Sequence, residues 1–353
     1  MTRTPLYHQF ASEARIGEYC GAETAAVFSD ARREYFALRT GCGVYDLGWR
    51  TKLTATGQDR TRWLNSMVSN NIRDLAPGRG VYSFVLNPQG RIQGDLYVYH
   101  RGDDFLLDTD RAQAANLLTL LGRYIIMDKV ELADVSDQLT AVGVQGPQAS
   151  AVLAKAGFQM TAIEPLQVQN AVWRDIGVAL TRMANGEFLT FEIWAAPAHI
   201  GEVWDALLAA GATPVGAEAL EMFRVAAGVP RYGQDIRERD LPQETCQMQA
   251  LSFTKGCYLG QEIVERIRSR GGVHRQFAGF VVESGRPAPG TKLESEGREV
   301  GELTSVLAVP AAKGERILAL GYVRREAGAV GATLTAADAT VRVEELPFKE
   351  LKD

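Results

Sequence analysis

The stretch Ser252-Phe253-Thr254-Lys255-Gly256-Cys257-Tyr258-Leu259-Gly260-Gln261-Glu262-Ile263-Val264-Glu265-Arg266-Ile267-Arg268-Ser269-Arg270-Gly271-Gly272 says more about this chain than any other. Ile263, Val264 and Ile267 follow the i, i+1, i+4 spacing of a helix with one apolar face, and the glycine pair ends it. Cys257 then stands just before a helix start, where the peptide dipoles and the neighbouring Lys255 favour a thiolate, the reactive form of the side chain. By composition alone the same residue also suits a small buried hydrophobe. Between residues 255 and 276 five basic side chains (Lys255, Arg266, Arg268, Arg270, Arg275) meet two acidic ones (Glu262, Glu265), a local balance of +3 in a chain of net charge −5. Arg266 and Arg270 share a helix face at i, i+4 and suit a carboxylate or a polyanion, while a solvated cationic helix end explains them equally well.

Upstream of this stretch, helix and strand patterns alternate. Residues 24–40 read as a helix through Val27, Phe28, Ala31, Tyr35, Phe36 and Leu38; residues 44–47 and 52–55 read as strands and 59–68 as a second helix. Residues 80–86 and 91–99 are β-prone runs separated by Asn87-Pro88-Gln89-Gly90, a hairpin signal, and a strand at 105–108 precedes a helix near 112–125. From about residue 137 the order recurs in kind: a strand at 139–145, a helix opened by Gly146-Pro147, strands near Val172 and at 189–194, and a helix at 197–210. After Arg275 short β-prone runs separated by glycine and proline indicate a small barrel or sandwich of about 80 residues.

At 353 residues the chain has room for two to three domains at roughly 150 residues each. Its 46% apolar and 23% charged residues are those of an ordinary globular protein, which excludes wholesale disorder. No run approaches the roughly 18 apolar residues of a membrane span, and the start lacks a signal-peptide core, so a cytoplasmic protein without membrane contact is expected. The acidic balance argues against a broad nucleic-acid surface, and no RNA-binding aromatic signature is present. Four cysteines without a C-x2-C pair exclude a disulfide framework, and four scattered histidines leave little from which to build a metal site or a Ser-His-Asp triad, so no metal is expected.

The run from Lys255 to Glu262 resembles the signature of the folate-binding YgfZ family, relatives of the glycine-cleavage T-protein (aminomethyltransferase) that serve iron–sulfur cluster synthesis or repair and tRNA modification. The resemblance extends through Val44-Tyr45-Asp46-Leu47, Val229-Pro230-Arg231-Tyr232-Gly233-Gln234-Asp235 and Leu241-Pro242-Gln243-Glu244 to Pro347-Phe348. It implies an α+β fold in which three domains form a ring of the T-protein type around a folate cavity, here 1–138, 139–273 and a C-terminal β-barrel at 274–353. It implies tetrahydrofolate as the cofactor, and as partners iron–sulfur client proteins such as tRNA-modifying enzymes.

Carried onto this sequence, the resemblance places Tyr82 and Asp95 in the folate cavity, with Asp95 as the acid beside the one-carbon chemistry. Without the family, Asp95 reads as a cap on the preceding turn. Glu192 matches the glutamate that pairs with the adjacent N–H donors of the pteridine, Arg224 a cavity arginine, and Asp110, more loosely, a cavity asparagine. Departures accompany these matches. Met183-Ala184-Asn185-Gly186-Glu187-Phe188 replaces the Thr-Gly-Tyr-Thr-Gly-Glu run of T-proteins, Gly94-Asp95 replaces two adjacent acids, and Cys257 stands where T-proteins carry an acid. Two functions follow: a folate-binding maintenance factor with Cys257 as its working thiol, or a tetrahydrofolate-dependent aminomethyltransferase with Asp95 handling the proton. One cysteine supplies one of the roughly four ligands a cluster needs, so any cluster would be shared with a client.

Overall fold

Asp30 is the first point at which local chemistry overrides the apolar pattern. Its side chain accepts the Arg33 N–H at 2.9 Å and caps a helix over Ala31–Thr40, while Ala22–Val27 pairs as a strand with both of its neighbours. The helix expected over 24–40 is therefore a strand followed by a shorter helix. Buried Glu34 fixes the corner, accepting the N–H groups of Phe28 and Ser29 at 2.8 and 2.7 Å and that of Gly216 at 2.9 Å. A buried carboxylate needs such donors, and three backbone amides satisfy it.

The computed structural model describes residues 2–159, 162–184, 188–311 and 314–349, and the chain divides into two compact units. The first comprises Met1–Ser83 and Asp95–Leu220, the second Phe84–Gly94 and Glu221–Asp353. In the first unit a six-stranded sheet has the order Val168–Trp173, Ile176–Arg182, Thr190–Ala195, Thr140–Gln145, Gly43–Asp46, Thr213–Pro214. A five-stranded sheet, the hairpin tip of which (residues 84–94) is counted in the second unit, has the order Gly80–Leu86, Ile92–His100, Phe105–Asp110, Arg50–Thr56, Glu131–Asp134. The strand Ile176–Arg182 has no counterpart in the sequence reading: it turns back at Arg174 and Asp175, whose φ of 48° and 66° form a hairpin turn without the usual glycine. The core behind the six-stranded sheet includes Val44, Val142, Val144, Ile193, Phe10 and Trp204, all buried, each contributing about 1.5 to 3 kcal/mol.

In the second unit six strands close a barrel: Arg275–Ser284, Glu315–Arg324, Arg298–Pro310, Lys292–Ser295, Thr333–Ala336 and Ala339–Glu344. Phe280, Leu293, Leu303, Val323 and Val341 fill it. Ahead of the barrel lies the helix Gln261–Arg270, framed by Gly260 and Gly271 in the left-handed region. Gly260 is required twice over. Its φ is 82°, and a Cβ there would lie 2.6 Å from the Asn87 carbonyl in the hairpin tip of the same unit. Among the described residues no helix is long and apolar enough to cross a membrane.

Candidate functional site

On one face of the five-stranded sheet, alternate positions of neighbouring strands carry polar groups, because side chains two residues apart share a face and directly opposed residues meet. Tyr97 lies opposite Asp108, Asp108 opposite Lys52, and Asp110 opposite Arg50. Arg50 donates through Nε to Asp108 Oδ1 (2.8 Å), through Nη1 to Asp110 Oδ1 (2.9 Å) and through Nη2 to the Asp108 carbonyl (3.0 Å). Lys52, fully buried, places its ammonium 2.7 Å from Asp108 Oδ2 as an ion pair. Burial alone would raise the Asp108 carboxyl; the charges of Arg50 and Lys52 outweigh it and hold the group below the usual carboxylate range. For Arg50 burial opposes the charge, and Asp108 and Asp110 outweigh it, so the guanidinium stays protonated.

Glu192 belongs to the six-stranded sheet of the same unit. Its Oε2 accepts the Trp194 indole N–H at 2.9 Å, and its Oε1 has no hydrogen-bond donor among the described residues. Burial, then the nearby Asp108 charge, raise this carboxyl above the ordinary glutamate range, against the pull of Lys52 and Arg50. Across the sheet Glu192 is paired with Gly143, and Gly143 with Tyr45. A Cβ on Gly143 would lie 2.1 Å from the Tyr45 ring, so glycine is what lets that ring lean along the row toward Glu192.

Asp95, half-buried, accepts the Tyr82 hydroxyl at 2.6 Å and the Gln113 side-chain amide at 2.7 Å, while its backbone N–H donates to Gln113 Oε1 at 3.0 Å. It is thus held by a neighbouring strand and a helix and does not cap the turn. Burial and the facing Asp95 charge push the Tyr82 phenol well above its ordinary value, which keeps it a donor. Tyr82, Tyr97, Tyr99 and Trp194 form a continuous aromatic row, with ring separations of 5.1, 6.3 and 4.8 Å. The unit thus combines an aromatic row, stacked only at Tyr97 and Tyr99, with a buried carboxylate that has an open oxygen and a half-buried carboxylate, a set suited to a planar heterocycle bearing N–H donors. Tyr82, Asp95, Asp110 and Glu192 all fall within it. Arg50, Lys52, Tyr97, Tyr99, Asp108, Gln113 and Trp194 were not anticipated; the signal was there, as charges and aromatics two apart at 50/52, 95/97/99 and 108/110 on β-prone runs.

Arg224 and Cys257 belong to the second unit. Arg224 uses all five N–H donors within it: on both Glu221 carboxylate oxygens (3.0 and 3.1 Å), the Val229 carbonyl (2.7 Å), Asp235 Oδ2 (2.6 Å) and Ser305 Oγ (2.9 Å). All five of its donors are thus engaged within the unit. Cys257 is exposed and precedes the helix at Gln261 by four residues, and so is no buried hydrophobe. Lys255 is buried, its ammonium 5.0 Å over the Tyr258 ring, whose phenol burial pushes up to about 12. A second exposed thiol, Cys246, lies at a left-handed position with its Sγ 3.7 Å from the Phe277 carbonyl. Asn185, Gly186 and Glu187, in the segment that departs from the T-protein run, lie outside the described residues. Among the described residues no cluster of His, Cys, Asp and Glu could hold a metal ion.

A mixed α+β unit of this kind followed by a closed six-stranded barrel is the architecture of the aminomethyltransferase fold. The solved aminomethyltransferase T of the Bartonella henselae glycine cleavage system superposes with a TM-score of 0.88 at 22% identity, over 99% of this chain and 98% of that one. The GCVT N-terminal domain family matches residues 7–255, and the C-terminal beta-barrel domain family of CAF17 matches residues 274–348. The chain belongs to the GCVT family, in its CAF17/YgfZ-like form. It is 31% identical over 354 residues to an aminomethyltransferase of Rippkaea orientalis, covering 95% of this chain and 92% of the relative. It is also 28% identical to an aminomethyltransferase of Thermus thermophilus over the full length of both.

Proposed function

We propose that the first unit binds tetrahydrofolate and that the protein serves, as a YgfZ-like factor of the cytosol, the synthesis or repair of iron–sulfur clusters in client proteins such as tRNA-modifying enzymes. The observation that carries the reading is Glu192, a buried carboxylate with one oxygen taken by Trp194 and the other open beside an aromatic row. Burying a carboxylate is costly without donors, and a pteridine offers two adjacent N–H groups on a flat ring. Glu192 would hold the pteridine, Tyr97 and Tyr99 would flank it, and Asp95, fixed by Tyr82 and Gln113, would orient the amines beyond it. Bound there, tetrahydrofolate supplies nitrogen atoms able to accept a one-carbon unit. Cys257, exposed in the second unit, is the thiol that would meet a client. Binding needs no nucleic acid in this reading. Titrating the purified chain with tetrahydrofolate tests it: micromolar saturation that is lost in Glu192→Gln supports it, and no saturation removes it.

A second reading, aminomethyl transfer to tetrahydrofolate, is favoured by the names of the relatives and by the fixed geometry of Asp95, whose carboxylate has two donors aligned on it. Here Asp95 would hold or move the proton at the reacting amine. Formation of 5,10-methylenetetrahydrofolate from an aminomethylated lipoyl carrier, abolished by Asp95→Asn, distinguishes this reading from the first.

A further inference from the structure

We propose that Lys52 is the positioning cation of this site: seated between Asp108 and the face of Trp194, it keeps the Glu192 carboxylate charged where water is excluded, and so sets the pH range over which a ligand with paired N–H donors binds. The inference rests on the folate reading only for the identity of the probe. Lys52 and Asp108 are both fully buried and 2.7 Å apart, and the Lys52 ammonium is 5.4 Å from the ring centroid of Trp194, the residue that donates to Glu192 at 2.9 Å. Asp108 already receives Arg50 at 2.8 Å, so it does not depend on Lys52 alone. A fully buried ammonium is an expense a core seldom carries when its one carboxylate partner is already paired with an arginine, unless the charge has a further use. That use is Glu192, whose own sheet provides one donor, Trp194, and one neutral phenol, Tyr45.

The charged and titratable groups acting on Glu192 are Asp108, Lys52 and Arg50 from the facing sheet, with the Tyr99 phenol beside them and Tyr45 on its own sheet. Asp108 repels the ionised form, and Lys52 and Arg50 are the cations acting on it among the described residues. Removing Lys52 therefore moves ionisation of Glu192 to higher pH. A ligand that needs the carboxylate then loses affinity earlier as pH falls.

The full-length chain, with Lys52→Met, Lys52→Arg and Glu192→Gln, would be titrated with tetrahydrofolate from pH 5.5 to 8.5, and the Trp194 indole N–H resonance followed over the same range without ligand. In Lys52→Met the midpoint of the affinity loss should rise by a pH unit or more, about tenfold weaker binding at the lower pH values. Lys52→Arg should restore the wild-type profile, and Glu192→Gln should bind weakly with a flat one. The indole resonance should titrate in the wild type and at higher pH in Lys52→Met. A Lys52→Met profile that superimposes on the wild type overturns the proposal. If Lys52→Met fails to fold, Lys52→Gln takes its place with the same expected shift, and an indole resonance of the wild type that is indifferent to pH overturns the proposal. If tetrahydrofolate does not bind at all, the folate reading fails by itself, and the indole titrations still judge Lys52.

Discussion

Glu192 in the first unit and Asp235 in the second are both buried carboxylates, and their surroundings differ in kind. Asp235 accepts from Arg224 (2.6 Å) and the Arg231 N–H (3.0 Å) on one oxygen, and from Thr304 and Ser305 on the other. Its hydrogen-bonding capacity is saturated by its own unit, as expected of a group whose work is to tie the segment after Arg224 to the barrel. Glu192 has one donor, a neighbouring like charge and an open oxygen. A fold that saturates one buried acid and leaves another incomplete is the arrangement on which the proposed ligand site rests.

The largest effect should come from breaking the saturated site. Asp235→Ala leaves Arg224 without its shortest partner in a buried network and should cost about 3 to 5 kcal/mol in urea unfolding. If the loss is small, the contrast between the two acids is weaker than their geometry suggests. Glu192→Gln should reduce tetrahydrofolate affinity about tenfold to a hundredfold, the worth of a charge-assisted hydrogen bond, with the fold retained.

The same substitution sharpens the comparison through pH. Because the folded-state value of Glu192 is raised, its ionisation opposes folding above the unfolded value and is neutral below it. Glu192→Gln should therefore raise the melting temperature most at alkaline pH, and the gain should vanish as pH falls through the ordinary glutamate range. Asp108 has the opposite sign: its lowered value gives stability that is present above the unfolded aspartate range and lost as pH falls toward the folded value.

Smaller effects test the supports. Gly143→Ala puts a methyl group into the Tyr45 ring and should cost about 1 to 3 kcal/mol, with a shift in the near-ultraviolet tyrosine signal. Cys257→Ala, at an exposed loop position, should change stability by less than about 0.5 kcal/mol and leave folate affinity intact, yet abolish complementation in cells. Retained complementation would take the thiol out of the mechanism.

Much of the fold could be read along the chain: the 87–90 turn, the helix after Cys257 and the β-character beyond Arg275 are local properties, and the structure has a hairpin, a helix and a barrel there. The misreading at 24–40 has a local cause too. Apolar residues there fit a helical period, but pairing with two strands outweighs propensity, and Asp30 supplies the boundary. The return strand Ile176–Arg182 escaped because its turn takes positive φ at Arg174 and Asp175, which are poor advertisements for it.

By itself the sequence carried the thiol at 257 and the signature around it, and through the resemblance it singled out an acid at 95 and a glutamate at 192. Those choices are covalent and survive any change of neighbours. Only the tertiary structure decided which acids are satisfied, because saturation depends on donors distant in the chain: Trp194 on Glu192, Gln113 on Asp95, and Lys52 and Arg50 on Asp108. Arg224 shows the same division. The resemblance alone placed it by the cavity, whereas the acceptors that engage its five donors are brought together only by folding.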